Sequence, residues 1–361
     1  MPFYATNLDS TPIQWQSIPA FSNTYLTGTN IFQFDHPATN VPKVFFHLRR
    51  TIPGFPADMM LIPGDSFQMG NNLGGGGGDE TPVHTVSVSA FFMDRDEVTN
   101  DKMVEVLQWA YDHGKLMVTS ASVQNFQGNQ QELLDLDSRH CRITWSGSLF
   151  GMKAVKGSGY PCVEVSWYGA AAYCNYRSEI EGRTPCYNLG DWSCNWSADG
   201  YRLPTEAEWE KTARGGLTGQ RFPWGANINH DYANCRACGS CYPYDTSPYT
   251  ALTYHPDYDD DGPPFTSPVG SFDANNYGLY DMAGNVLEWC WDWYGYGYYA
   301  SFPIGSWPVD PRGPSSGSSR VGRGGRCDST PDRCRVADRI GTAPDYSDGG
   351  IGFRTVLPTG Q

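Results

Sequence analysis

Two carboxylates frame a turn in the C-terminal half of the chain. Asp281 and Glu288 stand on either side of Gly284-Asn285. Polar residues interrupt an otherwise apolar run there, so the two carboxylates and nearby backbone carbonyls can converge on one hard cation. Ca2+ takes about six to eight oxygens in flexible geometry, and such a turn supplies roughly half of them. The acidic run at residues 257–261 suits a cation loop or a solvated acidic face, and both readings stand. Cys235, Cys238 and Cys241 form a C-x2-C-x2-C pattern. No fourth ligand follows at a spacing diagnostic of zinc or an iron–sulfur cluster, so a loop with one disulfide or free thiols is the plainer reading. The eleven cysteines are an odd number and cannot all pair within one chain. The glycine run at residues 74–78 is followed by no Lys-Ser/Thr pair and no helix signal, which makes it a loop and not a phosphate cradle. The seven histidines sit in no nucleophile context.

The elements that must position these groups are short. Residues 97–111 carry Val98, Met103, Val106, Leu107 and Ala110 at helical spacing after an acidic start. Residues 166–177, rich in Ala and aromatics, read as a buried helix. A third helix opens at Pro204-Thr205-Glu206-Ala207-Glu208, with Thr205 as N-cap and Glu208 completing a capping box. Residues 59–70 read as a strand pair, and residues 85–92 alternate as one strand. Beyond Arg214 the chain is loop, broken by Gly, Pro and Asn, with short strands near residues 286–293, 320–325 and 352–357. Near the N-terminus Ile13-Gln14-Trp15-Gln16, Asn30-Ile31-Phe32-Gln33-Phe34 and Val44-Phe45-Phe46-His47-Leu48 read as strands. The expected class is α+β, loop-rich with few helices. Residues 1–55 form a small β-strand module and linker, and residues 56–361 form the main domain.

Composition narrows the function classes. The 361 residues include 41 Gly and 26 Pro, which demands much irregular backbone. Twelve Trp, 22 Tyr and 17 Phe supply ample surface to bury, so intrinsic disorder is excluded. The formal net charge of -14 repels phosphate backbones and argues against a nucleic-acid partner. No run approaches about 18 apolar residues, so no membrane span is expected. The start, MPFYATNLDS, has no basic segment leading into an apolar one, so no secretory signal is visible.

Read in order, several stretches resemble the formylglycine-generating enzyme (sulfatase-modifying factor) family. They include Pro82-Val83-His84-Thr85-Val86, Asp96-Glu97-Val98-Thr99-Asn100 and Pro161-Cys162-Val163-Glu164-Val165-Ser166-Trp167. Tyr201-Arg202-Leu203-Pro204-Thr205-Glu206-Ala207-Glu208-Trp209-Glu210 and Phe222-Pro223-Trp224-Gly225 follow. The run Asn276-Tyr277-Gly278-Leu279-Tyr280-Asp281, continuing to Trp289, then precedes Arg323-Gly324-Gly325 and Gly352-Phe353-Arg354. The resemblance implies an elaborated C-type-lectin-like fold. It also implies a Ca2+ site with Asp281 and Glu288 binding by side chain, and Gly284 and Val286 by carbonyl. A second implied Ca2+ site falls on Asn234, the Cys235 carbonyl, Asp261 and the Pro263 carbonyl.

The family's enzymes oxidise a substrate cysteine to formylglycine, using O2 and a Cu(I) ion on two cysteines five residues apart. Thiolates are the soft donors that select Cu(I). Here the Gly324-Gly325 turn is followed by Arg326-Cys327-Asp328-Ser329-Thr330-Pro331-Asp332-Arg333-Cys334. Counted from the turn, Cys334 takes the second cysteine's place, Ser329 the first's, and Cys327 lies two residues earlier. Cys327 and Cys334 are therefore the only candidates for a catalytic pair, and their spacing is wrong for it.

Non-enzymatic relatives, notably the variable proteins of diversity-generating retroelements, place a diversified ligand surface at the C-terminus of the same scaffold. Residues 320–357 here alternate framework-like positions with chemically mixed ones. The framework set is Arg320, Val321, Gly324, Gly325, Arg335, Val336, Ala337, Arg339, Pro344 and Ile351-Gly352-Phe353-Arg354. The mixed set includes Arg326, Cys327, Asp328, Ser329, Thr330, Asp332, Arg333, Ile340, Thr342, Tyr346 and Asp348. These residues are the expected contacts for a protein or glycan ligand held without turnover; the alternative is the copper- and O2-dependent oxidase. Trp and Tyr crowd residues 289–299, where they serve a sugar or the core. By analogy with displayed proteins the expected location is extracellular or the cell surface.

Overall fold

The computed structural model describes residues 57–259, 262–303 and 305–359, together with the backbone of four short strands among the first 56. Two compact units divide at residues 57 and 58. In the first, Phe3–Ala5 pairs antiparallel with Trp15–Ser17, and Asn23–Thr24 with Gln33–Phe34. The strand read at residues 44–48 lies outside the described residues.

Three α-helices and many short strands build the second unit. Each helix starts where its cap stands. Thr99 accepts a hydrogen bond from the Lys102 amide to open α1 (Asn100–Asp112), and Ser166 accepts from the Gly169 amide to open α2 (Trp167–Ile180). In α3 (Glu206–Arg214) the Thr205 hydroxyl takes the Glu208 amide while the Glu208 carboxylate returns to the Thr205 amide. Gly215, left-handed at φ 53°, closes it.

The central sheet runs Ile340–Thr342, Arg320–Arg323, Leu287–Trp293, Ile351–Gly352, antiparallel except for its last pair. A second sheet sets Phe91–Asp94 between Met59–Ile62 and Val356–Pro358. The residues read as a strand pair at 59–70 are indeed two strands, but they do not pair with each other. Asp65–Met69 pairs with His84–Val88 instead, so the single alternating run at 85–92 splits between two sheets. Five strands between residues 116 and 152 were not expected: Leu116–Val118, Ser122–Asn125, Glu132–Asp135, Ile143–Trp145 and Phe150–Met152.

Three indoles anchor the core, and each buried N–H finds an acceptor. Trp167 donates to the Cys290 carbonyl at 2.9 Å, Trp289 to the Val165 carbonyl at 3.0 Å, and Trp209 to the Glu288 carboxylate at 2.8 Å. Burying an indole without such a partner would cost free energy on the scale of a lost hydrogen bond. No helix among the described residues is long and apolar enough to cross a membrane.

Candidate functional site

The C-terminal segment leaves the central sheet at Arg323, makes an excursion, and returns as Ile340–Thr342. Its arginines hold the excursion down. Arg335 grips the Glu80 carboxylate with two bonds of 2.6 and 2.7 Å, and Arg339 grips Glu206 at 2.5 and 2.7 Å. Arg323 pairs with Glu210, which also accepts Arg214 at 2.7 Å. Arg320 lies buried over the faces of Trp167 and Trp293, 3.8 and 3.5 Å from their centroids. The Arg335 and Arg339 forks are buried and bidentate, the geometry in which Arg–carboxylate pairs are strongest. The glycine run at 74–78 ends in one 3-10 turn, Gly78–Glu80, which carries Glu80 to Arg335.

Burial separates the two sets of residues read from the sequence. Arg320, Val321, Gly324, Gly325, Arg335, Val336, Ala337, Arg339 and residues 351–354 are buried, and Pro344 is half-buried. Arg326, Asp328, Ser329, Thr330, Asp332, Ile340, Thr342 and Asp348 are half-buried, while Arg333 and Tyr346 are exposed. Cys327 breaks the pattern. It is 3% exposed, so it belongs with the framework and not with the ligand contacts.

The exposed set is tied together. Arg326 meets Asp328 at 2.6 Å and also Asp348, whose carboxylate accepts the Tyr346 hydroxyl at 3.1 Å. The Ser329 hydroxyl accepts the Arg326 amide at 3.1 Å. Tyrosines from a separate loop lie nearby: Tyr242 beside Thr330 and Asp332, and Tyr254 in the field of Asp328. Sequence reading missed both, because a tyrosine some 90 residues upstream carries no spacing signal.

The copper pair implied by the resemblance is not the sulfur pair that the fold brings together. Cys334 is fully buried and its sulfur meets that of Cys235; this hydrogen bond, with burial, pushes its thiol well up. Burial also pushes the Cys327 thiol up to about 12, helped by Asp328. With Ser329 at the first cysteine's place, the donor set does not fit a two-thiolate Cu(I) site. The other two cysteines of the C-x2-C-x2-C run, Cys238 and Cys241, form a disulfide.

The carboxylate turn is strained. Asp281 and Asn285 are left-handed at φ 56° and 61°, and Gly284 has φ 80°. A Cβ on Gly284 would lie 2.4 Å from the Asn234 carbonyl, so only glycine fits there. Asp281 and Glu288 lie in each other's electrostatic field, together with a third carboxylate, Glu97. Glu97 accepts the Asn285 side chain at 2.6 Å and the Val286 amide at 3.2 Å. Burial, then Asp281 and Glu288, drives its carboxyl well above the usual range. Arg354 faces the group and binds Glu288 through two 2.7 Å bonds. One Asp281 oxygen takes the Gly270 amide at 2.7 Å; the other, Oδ1, is buried with no partner. Burial raises the Asp281 carboxyl to about 7. Three carboxylates neighbour one guanidinium and one of their oxygens is orphaned, but among the described residues no three acidic, histidine or cysteine side chains are gathered closely enough to hold a metal ion.

The second implied calcium site is differently occupied. The Cys235 carbonyl takes the His230 ring at 2.9 Å, and the Pro263 carbonyl takes the Arg142 guanidinium. The Asn234 amide donates to the Phe265 carbonyl at 2.8 Å. Asp261 lies outside the described residues. Among the aromatics at 289–299, Trp289 and Tyr299 are core and Tyr296 is 65% exposed.

Comparison with known proteins places these features in a lineage. Residues 50–358 match the model of the sulfatase-modifying factor enzyme 1-like domain. The formylglycine-generating enzyme of Streptomyces coelicolor is 34% identical over 81% of this chain and 87% of its own length. The serine/threonine-protein kinase pkn1 of Chlamydia caviae is 36% identical over 82% of this chain, which spans only 37% of that protein. The inactive C-alpha-formylglycine-generating enzyme 2 of Bos taurus is 30% identical over 85% of this chain and 90% of its own. Among solved structures, Treponema denticola variable protein 1 superposes with a TM-score of 0.53 at 27% identity, covering 83% of this chain and 94% of that one.

Proposed function

The chain belongs to the sulfatase-modifying factor family, and from that membership we propose that its C-terminal surface, residues 320–357, binds a protein or glycan ligand without turning it over. The observation that carries this reading is the division by burial. Framework residues are locked into the core by paired arginines, while the chemically mixed residues between them stay at least partly open. A surface made this way changes its chemistry without touching the core. The likeness to a variable protein supports the same reading, with a C-type-lectin-like scaffold and diversification of the mixed positions as its further terms. Family members named as enzymes and as inactive enzymes both resemble this chain, so membership alone does not choose between catalysis and binding. Placement outside the cell or on its surface follows from a display role.

Calcium is the cofactor we assign to the scaffold. Asp281 and Glu288 would hold it, with the Gly284 and Val286 carbonyls beside them, and its charge would balance the carboxylate excess around Arg354. The ion would serve to fix the turn from which Leu287–Trp293 departs.

The rival reading is the oxidase, in which Cys334 keeps the second cysteine's place. Incubation with Cu(I), O2, reductant and a sulfatase-motif peptide separates the two by mass. We expect no aldehyde. Aldehyde formation that disappears in both Cys327→Ala and Cys334→Ala would overturn the binding assignment. In screens against a glycan array and a displayed library of extracellular protein domains, we expect a ligand whose binding falls in Tyr346→Ala or Arg333→Ala at unchanged melting temperature.

A further inference from the structure

Residues 186–195 fold back on themselves. Tyr187 bridges Cys194 in antiparallel fashion, the Asn188 amide donates to the Ser193 carbonyl at 3.0 Å, and the Asn195 amide donates to the Cys186 carbonyl at 2.7 Å. Trp192, left-handed at φ 60° and 5% exposed, pins the bend against the rings of Trp167 and Tyr168. This hairpin places Cys186 and Cys194 on neighbouring, paired backbone positions with their thiols influencing one another. The Cys186 thiol also donates to the Gly200 carbonyl at 3.4 Å.

Nine cysteines are free, and eight of them are buried; Cys194 is the exception. Both it and Cys186 line an open cavity of about 360 Å³, walled also by Pro185, Asn188, Ser193 and Asn195. The other close sulfur pair, Cys235 and Cys334, is wholly buried. Among the described residues, the Cys186–Cys194 pair therefore has one member, Cys194, that reaches solvent and a second, Cys186, 2% exposed at the cavity wall.

We propose that Cys186 and Cys194 form a reversible dithiol–disulfide site that exchanges with a low-molecular-weight disulfide entering this cavity. The thiolate is the attacking species in such exchange. The hydrogen bond from Cys194 holds the Cys186 thiol below its ordinary value, and the Arg202 guanidinium adds to the effect. The Cys186 thiolate attacks one sulfur of the entering disulfide and expels its other half as a thiolate, which takes up a proton. Cys194 then loses its proton and attacks the Cys186 sulfur, releasing the second thiol. Two protein thiols become one disulfide, and the small disulfide leaves as two thiols carrying both electrons and both protons.

The folded protein, treated with glutathione disulfide and then unfolded and alkylated, tests this directly. The expected result is a fall from nine alkylatable cysteines to seven, a Cys186–Cys194 cross-linked peptide after non-reducing digestion, and full recovery with dithiothreitol. In Cys194→Ser the exchange halts after its first step, leaving one glutathione on Cys186. Nine cysteines still alkylated in the wild-type protein, or a cross-link that joins Cys235 to Cys334 instead, would overturn the proposal. An unmodified Cys186 in folded Cys194→Ser would overturn its role as attacking thiol.

Discussion

At the scale of single residues, chemistry follows from how many partners each buried charge has. Glu288 accepts three hydrogen bonds from Arg354 and Trp209, which its loss would also break, whereas Asp281 keeps an unpartnered oxygen, so Asp281 is the cleaner probe of calcium. An ion bound only by the folded state adds about 2.7 kcal/mol when free ion is a hundred times its dissociation constant. Chelation should lower the melting temperature of the wild-type protein and leave Asp281→Asn unmoved; equal melting with and without chelator would remove the site. Glu288→Ala strands the Arg354 guanidinium and should lose roughly 3–5 kcal/mol whether or not calcium binds. Asp338 offers a pH test. Arg335 spends its fork on Glu80 and reaches Asp338 only at 3.4 Å, so burial prevails and raises that carboxyl to about 7. The folded state then holds a proton that the unfolded chain releases near pH 4. Stability from this group is complete below that value and drains away as pH rises through 7. Asp338→Asn should flatten the loss and gain on the order of 1 kcal/mol at pH 8, read from urea midpoints across that range. The nearness of Asp281 to Glu288 was legible from their positions around a Gly-Asn turn. Glu97 was not, because its 184-residue distance from Asp281 leaves no local pattern.

At the scale of elements, what the sequence states locally the structure keeps. Thr205 announces its helix start because an N-cap is a contact between near neighbours, while the caps Thr99 and Ser166 go unread and the first helix, expected from residue 97, opens at Asn100. Thr205→Ala should destabilise by about 1 kcal/mol in chemical denaturation while Thr205→Ser stays close to wild type; equal losses would show that the cap hydroxyl is idle. Strand partners are another matter. Residues 85–92 read as one alternating strand, yet their two halves join different sheets, since hydrophobic patterning records which face is buried and not which strand lies alongside. The strands between residues 116 and 152 are three or four residues long, with Ser, Gln, Asn, Glu and Thr among them, and so lack the apolar run that would mark them.

At the scale of the whole molecule, long-range pairing governs. Arg335 meets Glu80 across 255 residues, and the Thr355 amide meets Asp94 across 261. Such contacts raise contact order and slow folding. The strand Phe91–Asp94, held between Met59–Ile62 and Val356–Pro358, shows what this means during synthesis. A ribosome adding about 5–20 residues per second leaves that strand with one bare edge for roughly 13–52 s. Nascent chains halted before Ile351 should be cut by protease throughout α2 and α3, and release of residues 351–358 should confer resistance in a single step. Protection that accumulates gradually with length would contradict this. The final strand thus acts as a clasp, and until it arrives the growing polypeptide carries an open ribbon edge.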